Sequence, residues 1–480
     1  MPYGNKNLHF GHVGGVFVPA DVYARFLRDR IGKSNVIFVS GTDCYGSPIV
    51  EGFRKAQEEG FEGSIVDYVE HNHKLQKSAL DAYDISLDLF GGSALGKSRI
   101  IHEQVSEDIL EELHDHGDLE IKTSKQFYDT QAQMFLNGRQ VEGHCPVQGC
   151  KSSKAYADEC ELGHQYEPEE LINPISKLSN QTPEMREVAN FYFNLPKYNE
   201  FIAQHISHSK DNPQIRALVT QTAEEFLQAP IIFIKNELID TYQSIADSLP
   251  EHSFREAQKG KQSFEIEFSS YVERDKARDI LSAHNIRFRT GKTILPFRLT
   301  GNIEWGVPAP ELEGITDLTI WVWPESLWAP ISFTQTLLQA DMEQETHRYA
   351  SDDWKDWWAD DEAKIYQFIG QDNIYFYGVA QPALFEALNW DMQPSILVAN
   401  HHILYLGKKA SSSSDEKPPS AEELLAAYTA EQLRAHWISL GLDKKSVSFA
   451  PKAFDPSMRI HEGMSDREIQ NIKRQADPAL

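Results

Sequence analysis

The hydrophobic and polar positions of the first hundred residues alternate between two periods. Val16 to Arg30, VFVPADVYARFLRDR, reads as a helix, and the apolar run Val36-Ile37-Phe38-Val39-Ser40 that follows reads as a strand closing at Gly41-Thr42-Asp43. That rhythm predicts a parallel sheet with crossover helices. From about Asp115 to Pro174 the text turns short, polar and punctuated, as in an inserted subdomain. Residues 181 to 250 read as helical, followed by a strand at Phe264–Phe268, a helix near Lys276–His284 and extended text at Ile286–Arg289. Strand-like text resumes at Leu318–Trp323, and a second alternating block contains Tyr366–Gly370 and Ile396–Val398. The expected fold class is therefore α/β, one parallel sheet whose halves are split by an insertion. The expected divisions are 1–114 (first half), 115–300 (insertion, with a metal-binding knuckle at about 143–166), 301–405 (second half) and 406–480 (a loop and a short helical extension). The low-complexity run Ser411–Ser414 with DEKPPS predicts a surface loop before a helix beginning near Ala421.

Composition narrows the function classes. At 480 residues and 41% hydrophobic the chain can build more than one core, and no apolar run reaches the length of a membrane span. With no signal-like start either, the protein is expected to be cytoplasmic, without a membrane partner. Against 46 Lys and Arg stand 72 Asp and Glu, a formal charge of -26, so a polyanionic partner must meet a local basic patch. Three of the four cysteines fall between Cys145 and Cys160, poor coverage for a disulfide framework in so long a chain. The pairs Cys145-x4-Cys150 and Cys160-x3-His164 instead suit a closed tetrahedral zinc site, with His144 a less well-spaced substitute for His164.

Two further clusters carry chemistry. In His9-Phe10-Gly11-His12, two imidazoles flank a glycine where a helix begins, which suits phosphate oxygens and lets a flat base approach the backbone. Asp43 closes a strand at its carboxyl end, where open α/β sheets bind ligands, and could pair with a substrate ammonium; an Asp at such a place also serves as a helix cap.

The text PYGNKNLHFGHVGG, DVYARFLR and FVSGTDCYGSPI, then EPEELINPIS, NIEWGVPAPELEG and FIGQDNIYFY, resembles methionyl-tRNA synthetases, class I enzymes with a split Rossmann-like catalytic domain. The resemblance runs through nearly the whole chain, with HFGH in the place of the family's HIGH signature. It implies that His9 and His12 stabilise the ATP phosphates, that Gly11 lies against adenine, and that Gly370 and Asp372 receive the ribose. It implies an amino-acid site of Tyr3, Asp43, Trp323, Phe376 and Tyr377. The family's KMSKS loop falls on Lys409-Ala410-Ser411-Ser412-Ser413, so Lys409 and Ser412 stand at the catalytic places and Ser411 and Ser413 beside ATP. The sequence departs from the family in placing Ser412 where a lysine is usual, Gly301-Asn302 where an Arg-Asp pair is common, and Pro330 and Tyr377 where the pocket has a tyrosine and a histidine. Met1 abuts the Pro2-Tyr3 turn, so the family's first strand is expected to be missing, and after LRAHWISLGL little length remains for an anticodon-reading bundle.

The resemblance thus implies ATP-dependent activation of an amino acid, methionine first, assisted by magnesium, with transfer to tRNA and a structural zinc. Two alternatives remain: a stand-alone paralogue that passes the amino acid to a non-tRNA acceptor, or a catalytically weak binding or regulatory protein.

Overall fold

The computed structural model describes residues 1–136, 138–146, 150, 152, 154–157, 160, 168–258, 260–302, 305–405, 408–409, 418–451 and 463–469. None of its described helices is long and apolar enough to cross a membrane.

The chain opens with a continuous helical run made of an α turn (Phe10–His12), a wider π turn (Val13–Phe17) and a regular helix (Val18–Ile31). Pro19 lies at the start of the regular part and has no N–H to give the carbonyl of Gly15, four residues earlier. The side-chain amide of Asn400 donates to that carbonyl instead, at 2.6 Å. Asn400 ends the strand Ile396–Asn400, which runs parallel to Tyr366–Gly370 with Gly370 opposite Asn400. The first helix and the second half-sheet are thereby joined by one buried amide.

In the first half, Val39–Thr42 pairs in parallel with Leu89–Gly92. Pro2 to Gly4 lie on the other side: the N–H of Asp43 donates to the Pro2 carbonyl at 2.8 Å and that of Gly4 to the Asp43 carbonyl at 2.7 Å. These residues supply a minimal strand at the place expected to be empty. The Gln76 amide fastens it by donating to the carbonyls of Tyr3 (2.8 Å) and Lys6 (2.9 Å), while its oxygen accepts from the Thr42 hydroxyl at 2.8 Å. The 22-residue helix Val322–Glu343 crosses both strands closely enough that a Cβ on Gly41 or Gly91 would fall about 2.4 to 2.6 Å from the Phe333 ring.

Between the halves lie two four-stranded antiparallel sheets. One is built on the long pair Leu119–Asp129 and Glu184–Phe193, with the order Phe297–Arg298, Glu184–Phe193, Leu119–Asp129, Met134–Phe135. The other has Ile231–Lys235 and Ser263–Phe268 at its centre and its own core of Ile232, Ile234, Phe264, Ile266 and Phe268 packed with Ala277 and Leu281 of the helix Tyr271–Ala283. After the second half-sheet, Ile403–Tyr405 pairs in parallel with Val447–Phe449.

Three expectations need correction. The stretch 181–250 is not uniformly helical: it contains the strands Glu184–Phe193 and Ile231–Lys235 as well as helices at Asn199–Asp211 and Ala217–Glu224. EMREVANFYF alternates at its C-terminal half and gains ten cross-strand partners from Leu119–Tyr128, which decides it as a strand. Leu318–Trp323 is a strand only at Thr319–Ile320, since Val322 begins the long helix with Pro324 in its first turn, where a missing N–H costs nothing. Trp323 and Phe376 are therefore not at strand spacing: Trp323 is helical and Phe376 lies in the π turn Phe376–Ala380.

Asp21, fully buried, accepts from the backbone and hydroxyl of Ser86 (2.6 Å each), from Arg25 (2.8 Å) and from Arg434 (2.5 Å), so it ties the first helix to the C-terminal helix Ala430–Ser439. Burial opposes its charge, but the bonds from Ser86, Arg434 and Arg25 outweigh this and hold its pKa below the usual value. Asp129 is held at about 2, where bonds from Ser176, Ser179 and two backbone N–H groups outweigh burial; Asp341 is held at about 2 by Thr346 and Arg348 in the same way.

Replacing Asn400 by Leu should cost about 1 to 3 kcal/mol, because the Gly15 carbonyl and the Arg216 guanidinium that bonds Asn400 both lose a buried partner; an unchanged urea midpoint would contradict it. The lowered carboxylates set an acid limit: their contribution is complete above about pH 4 and lost as pH falls towards about 2. Urea midpoints measured against pH should fall in that window, and Asp21→Ala should lower the midpoint at neutral pH by the equivalent of about 3 to 5 kcal/mol.

Candidate active site

His9 caps its own helix: its Nδ1 accepts the N–H of Gly11 at 3.0 Å, and Nδ1 of His12 accepts the N–H of His9 at 3.4 Å. A backbone N–H can only donate, so both rings must present an unprotonated Nδ1, and each neutral ring carries its proton on Nε2. Burial lowers the pKa of His9 to about 4, helped by Lys6, and lowers that of His12 well below its usual value, helped by His9 and Lys6. The two rings lie 3.9 Å apart, centre to centre. Near neutral pH they are therefore a pair of uncharged donors. Gly11 sits under the His9 ring, 2.7 Å from where a Cβ would stand.

The tetrapeptide is held from below. Phe10 is fully buried against Phe449 (5.1 Å) and Tyr405 (6.0 Å) in a cluster that includes Leu8, Val13, Leu424, Leu433 and Trp437. His9 also forms an antiparallel bridge with Ser420, and the Ala421 N–H donates to the Leu8 carbonyl at 2.9 Å. The backbone of Lys409 pairs with Leu404. Ser411, Ser412 and Ser413 lie outside the described residues, between Lys409 and Ser420, as does His164.

Asp43 is 5% exposed and lies beside Tyr3. The following helix, Ser47–Glu58, is capped by Gly46, so Asp43 has no capping duty. Its Oδ1 is buried without a hydrogen bond. Burial raises its pKa well above the ordinary carboxylate value, and the nearby Glu325 adds to this. Glu325 was not anticipated. It is fully buried in the first turn of the helix Val322–Glu343, with Oε2 at 2.6 Å from Nε2 of His102 and Oε1 unpaired. The other nitrogen of His102 contacts the Ser332 hydroxyl at 2.9 Å, and burial brings His102 down to about 3. One acid in the apolar run WVWPESLWAPISF was the available signal.

Trp323 and Phe376 stack face to face, 4.3 Å apart and 5° from parallel. The Tyr377 hydroxyl donates to the Ser326 carbonyl at 3.2 Å, one helical turn from Trp323. Asp43 and Glu325 together raise the pKa of both Tyr3 and Tyr377, after burial itself. The five residues expected to enclose an amino acid thus belong to one neighbourhood, with Glu325 added. Pro330 falls farther along the same helix, in its interior. Gly370 ends its strand, and a Cβ there would meet Asp372 Oδ1 at 2.7 Å, so these two are also adjacent. Gly301 is buried on a short strand, and the Asn302 side-chain oxygen is buried and unpaired.

In the insertion, the sulfurs of Cys145, Cys150 and Cys160 lie within 4.8 Å of one another, with Cys150 and Cys160 at 3.9 Å. Tetrahedral zinc at about 2.3 Å from each sulfur requires a separation of about 3.8 Å. The Ser152 N–H donates to the Cys150 sulfur at 3.4 Å, and Phe127, Leu136 and Val141 pack around the group. His144 is exposed and outside this cluster, which removes it as the substitute ligand.

The family model for tRNA synthetases class I (M) matches residues 1–235 and 233–460. Among curated relatives, methionine–tRNA ligases of Bacteroides fragilis and Parabacteroides distasonis are each 28% identical over 412 residues, 85% of this chain and 47% of theirs. That of Chlorobaculum tepidum is 28% identical over 391 residues, 81% of this chain and 44% of its own. The chain spans about half the length of the curated relatives it matches. A solved methionyl-tRNA synthetase of Mycobacterium tuberculosis, bound by methionyl-adenylate, has the same fold with a TM-score of 0.54 at 17% identity, over 94% of this chain and 66% of that one. With a family model covering both half-sheets and the insertion between them, the chain belongs to the class I tRNA synthetases of the methionyl group.

Proposed function

We propose that this chain activates methionine with ATP and transfers it to the 3' end of tRNA. The observation that carries this reading is the pairing of a buried carboxylate with one oxygen unbonded, Asp43, with the stacked rings of Trp323 and Phe376 in one neighbourhood. An α-ammonium would donate to the unbonded Oδ1 of Asp43, and the aromatic faces would take a soft thioether side chain. The substrate carboxylate oxygen then attacks the α-phosphorus of ATP, a new P–O bond forms, and the bond to pyrophosphate breaks. His9 and His12 donate from Nε2 to phosphate oxygens as charge shifts there, Gly11 lies against adenine, and Gly370 and Asp372 take the ribose. Lys409 and Ser411–Ser413 belong to the loop expected on the pyrophosphate side, with magnesium accompanying ATP. Because both imidazoles are neutral, they assist by oriented hydrogen bonds without adding net charge.

We further propose that Cys145, Cys150 and Cys160 hold a structural zinc, with His164 as fourth ligand. The division at about 115, 300 and 406 belongs to the same reading.

Pyrophosphate exchange run over all twenty amino acids, with and without tRNA, should respond to methionine. Asp43→Ala should reduce methionine-dependent exchange by about 100-fold or more, as expected when one partner of a buried charge pair is removed. Exchange driven by another amino acid would overturn the specificity; absence of exchange in folded protein would overturn activation; adenylate without aminoacyl-tRNA would favour a different acceptor. Elemental analysis should find about one zinc per chain, lost in Cys160→Ser, and chelation should expose the insertion to protease. Metal-free protein with unchanged proteolysis would remove the zinc assignment.

A further inference from the structure

The strand Leu89–Gly92 and the 20-residue helix Gly96–Asp115 are joined by a very short turn. The text across that junction is Gly91-Gly92-Ser93-Ala94-Leu95-Gly96-Lys97-Ser98, a glycine, four residues, then Gly-Lys-Ser, which is the spacing of strand-to-helix phosphate loops. Nothing in the proposed amino-acid activation uses it. The spacing alone says little, but the start of this helix is unusual in what it lacks. Its N-cap is Leu95, whose side chain cannot accept a hydrogen bond, and no acidic residue stands in its first turn. The first backbone bond at this end is from Arg99 N–H to the Leu95 carbonyl. The N–H groups of Gly96, Lys97 and Ser98 thus have no partner among the described residues, and the positive end of a long helix is left uncompensated. Gly96 has φ +52°, the left-handed conformation that lets the chain enter the helix so abruptly.

That helix start borders a cavity of about 620 Å³, lined also by Gly91, Gly92, His73, Lys74 and Lys77. Ser98 is 6% exposed, lines the cavity, and its hydroxyl has no hydrogen-bond partner among the described residues. The hydroxyl faces the bare Cα of Gly91, where a Cβ would stand 3.1 Å from it. A side chain more than nine-tenths buried that bonds nothing among the described residues and borders the cavity is the independent sign of a ligand there. From the opposite wall come the two lysines of the helix Ile65–Ala82, held only by surface pairs within their own helix, Lys74 with Glu70 and Lys77 with Asp81. Glu70 and Asp81 also border the cavity, so the site is not uniformly basic. Lys97 turns away to pair with Glu343, which leaves the spacing without the lysine that reaches the outer phosphates of a nucleoside triphosphate.

We propose that this cavity is a second anion site, built for a single phosphate group: free backbone N–H groups and the Ser98 hydroxyl take its oxygens, and Lys74 and Lys77 supply charge. The inference does not rest on the amino-acid activation above. His73, on its wall, stacks on Phe90 (5.1 Å, 11°) and bonds the Thr42 hydroxyl at 2.9 Å, so the cavity lies directly behind the strand that ends at Asp43.

The test uses the full chain and inorganic phosphate alone, followed by backbone amide resonances. Phosphate at millimolar concentration should shift Gly91, Gly96, Lys97 and Ser98, with saturation. Lys74→Glu together with Lys77→Glu, the first exposed and the second half-buried on the helix Ile65–Ala82, should raise the apparent Kd at least tenfold, and Ser98→Ala should raise it several-fold, whereas His9→Ala should leave these shifts unchanged. Titration of a nucleoside monophosphate in the same assay separates a free phosphate site from a nucleotide site: shifts confined to these amides with both ligands at equal affinity support a site for the phosphate group alone. Shifts confined to residues 9–12, or equal affinity in the double lysine variant, would overturn the proposal.

Discussion

Much of this fold hangs on a carbonyl that lacks its regular helical donor. Pro19 deprives Gly15 of its i+4 donor, and a buried carbonyl left unpaired costs about 1 to 3 kcal/mol. Asn400 relieves it from the far side of the molecule, and Arg216 in turn bonds the Asn400 side chain and the Ala399 carbonyl. The consequence is positional. Gly370, opposite Asn400 in register, and the His9–His12 turn, one helical turn before Gly15, are set relative to each other by hydrogen bonds that tolerate little displacement. Two half-sheets whose strands lie as far apart in the chain as Leu89–Gly92 and Tyr366–Gly370 need such a fixed joint, because apolar packing alone is not directional.

Around that joint the protein buries groups that would be happier in water. Asp43 and Glu325 are both out of solvent with an oxygen unpaired; burial makes each harder to ionise, and Glu325 adds to this at Asp43. A core that existed only to be stable would replace them by apolar side chains. Their surroundings are instead rigid: Tyr3 is fixed by Gln76 through its carbonyl, Glu325 by His102, and His102 by Ser332. Such over-determination holds poorly solvated carboxyl groups in place. The neutral histidines follow the same logic from the opposite sign, since the backbone N–H groups that donate to each Nδ1 fix the tautomer in advance.

Readability from sequence divided along physical lines. Val39–Thr42, Tyr366–Gly370, Ile396–Asn400 and the helix Val18–Ile31 were readable because continuous apolar runs and helix text report burial directly. Glu184–Phe193 was not, since its first half is charged and only the partner strand Leu119–Tyr128 makes it extended. Trp323 was misplaced onto a strand because an apolar run ahead of a proline reads the same either way, and only packing across Gly41 and Gly91 decides for helix. Of the site, the tetrapeptide and Asp43 stood out by residue type and place. Glu325 did not: it lies among tryptophans and prolines, and its importance comes from a neighbour, Asp43, almost three hundred residues away.

The helical run that starts at Phe10 and the helix Gly96–Asp115 treat their N-termini in opposite ways. At His9 the side chain closes on the Gly11 N–H, so the helix end is satisfied from within and the ring's remaining nitrogen is what faces outward. At Leu95 no side chain can do so, and the backbone itself remains open. A capped end offers a ligand a side-chain donor at a defined atom; an uncapped end offers a ring of amides and a dipole, suited to a tetrahedral anion of no particular orientation. The difference follows from one residue at each cap, and it separates a place suited to orienting a reacting phosphate from a place suited only to holding one.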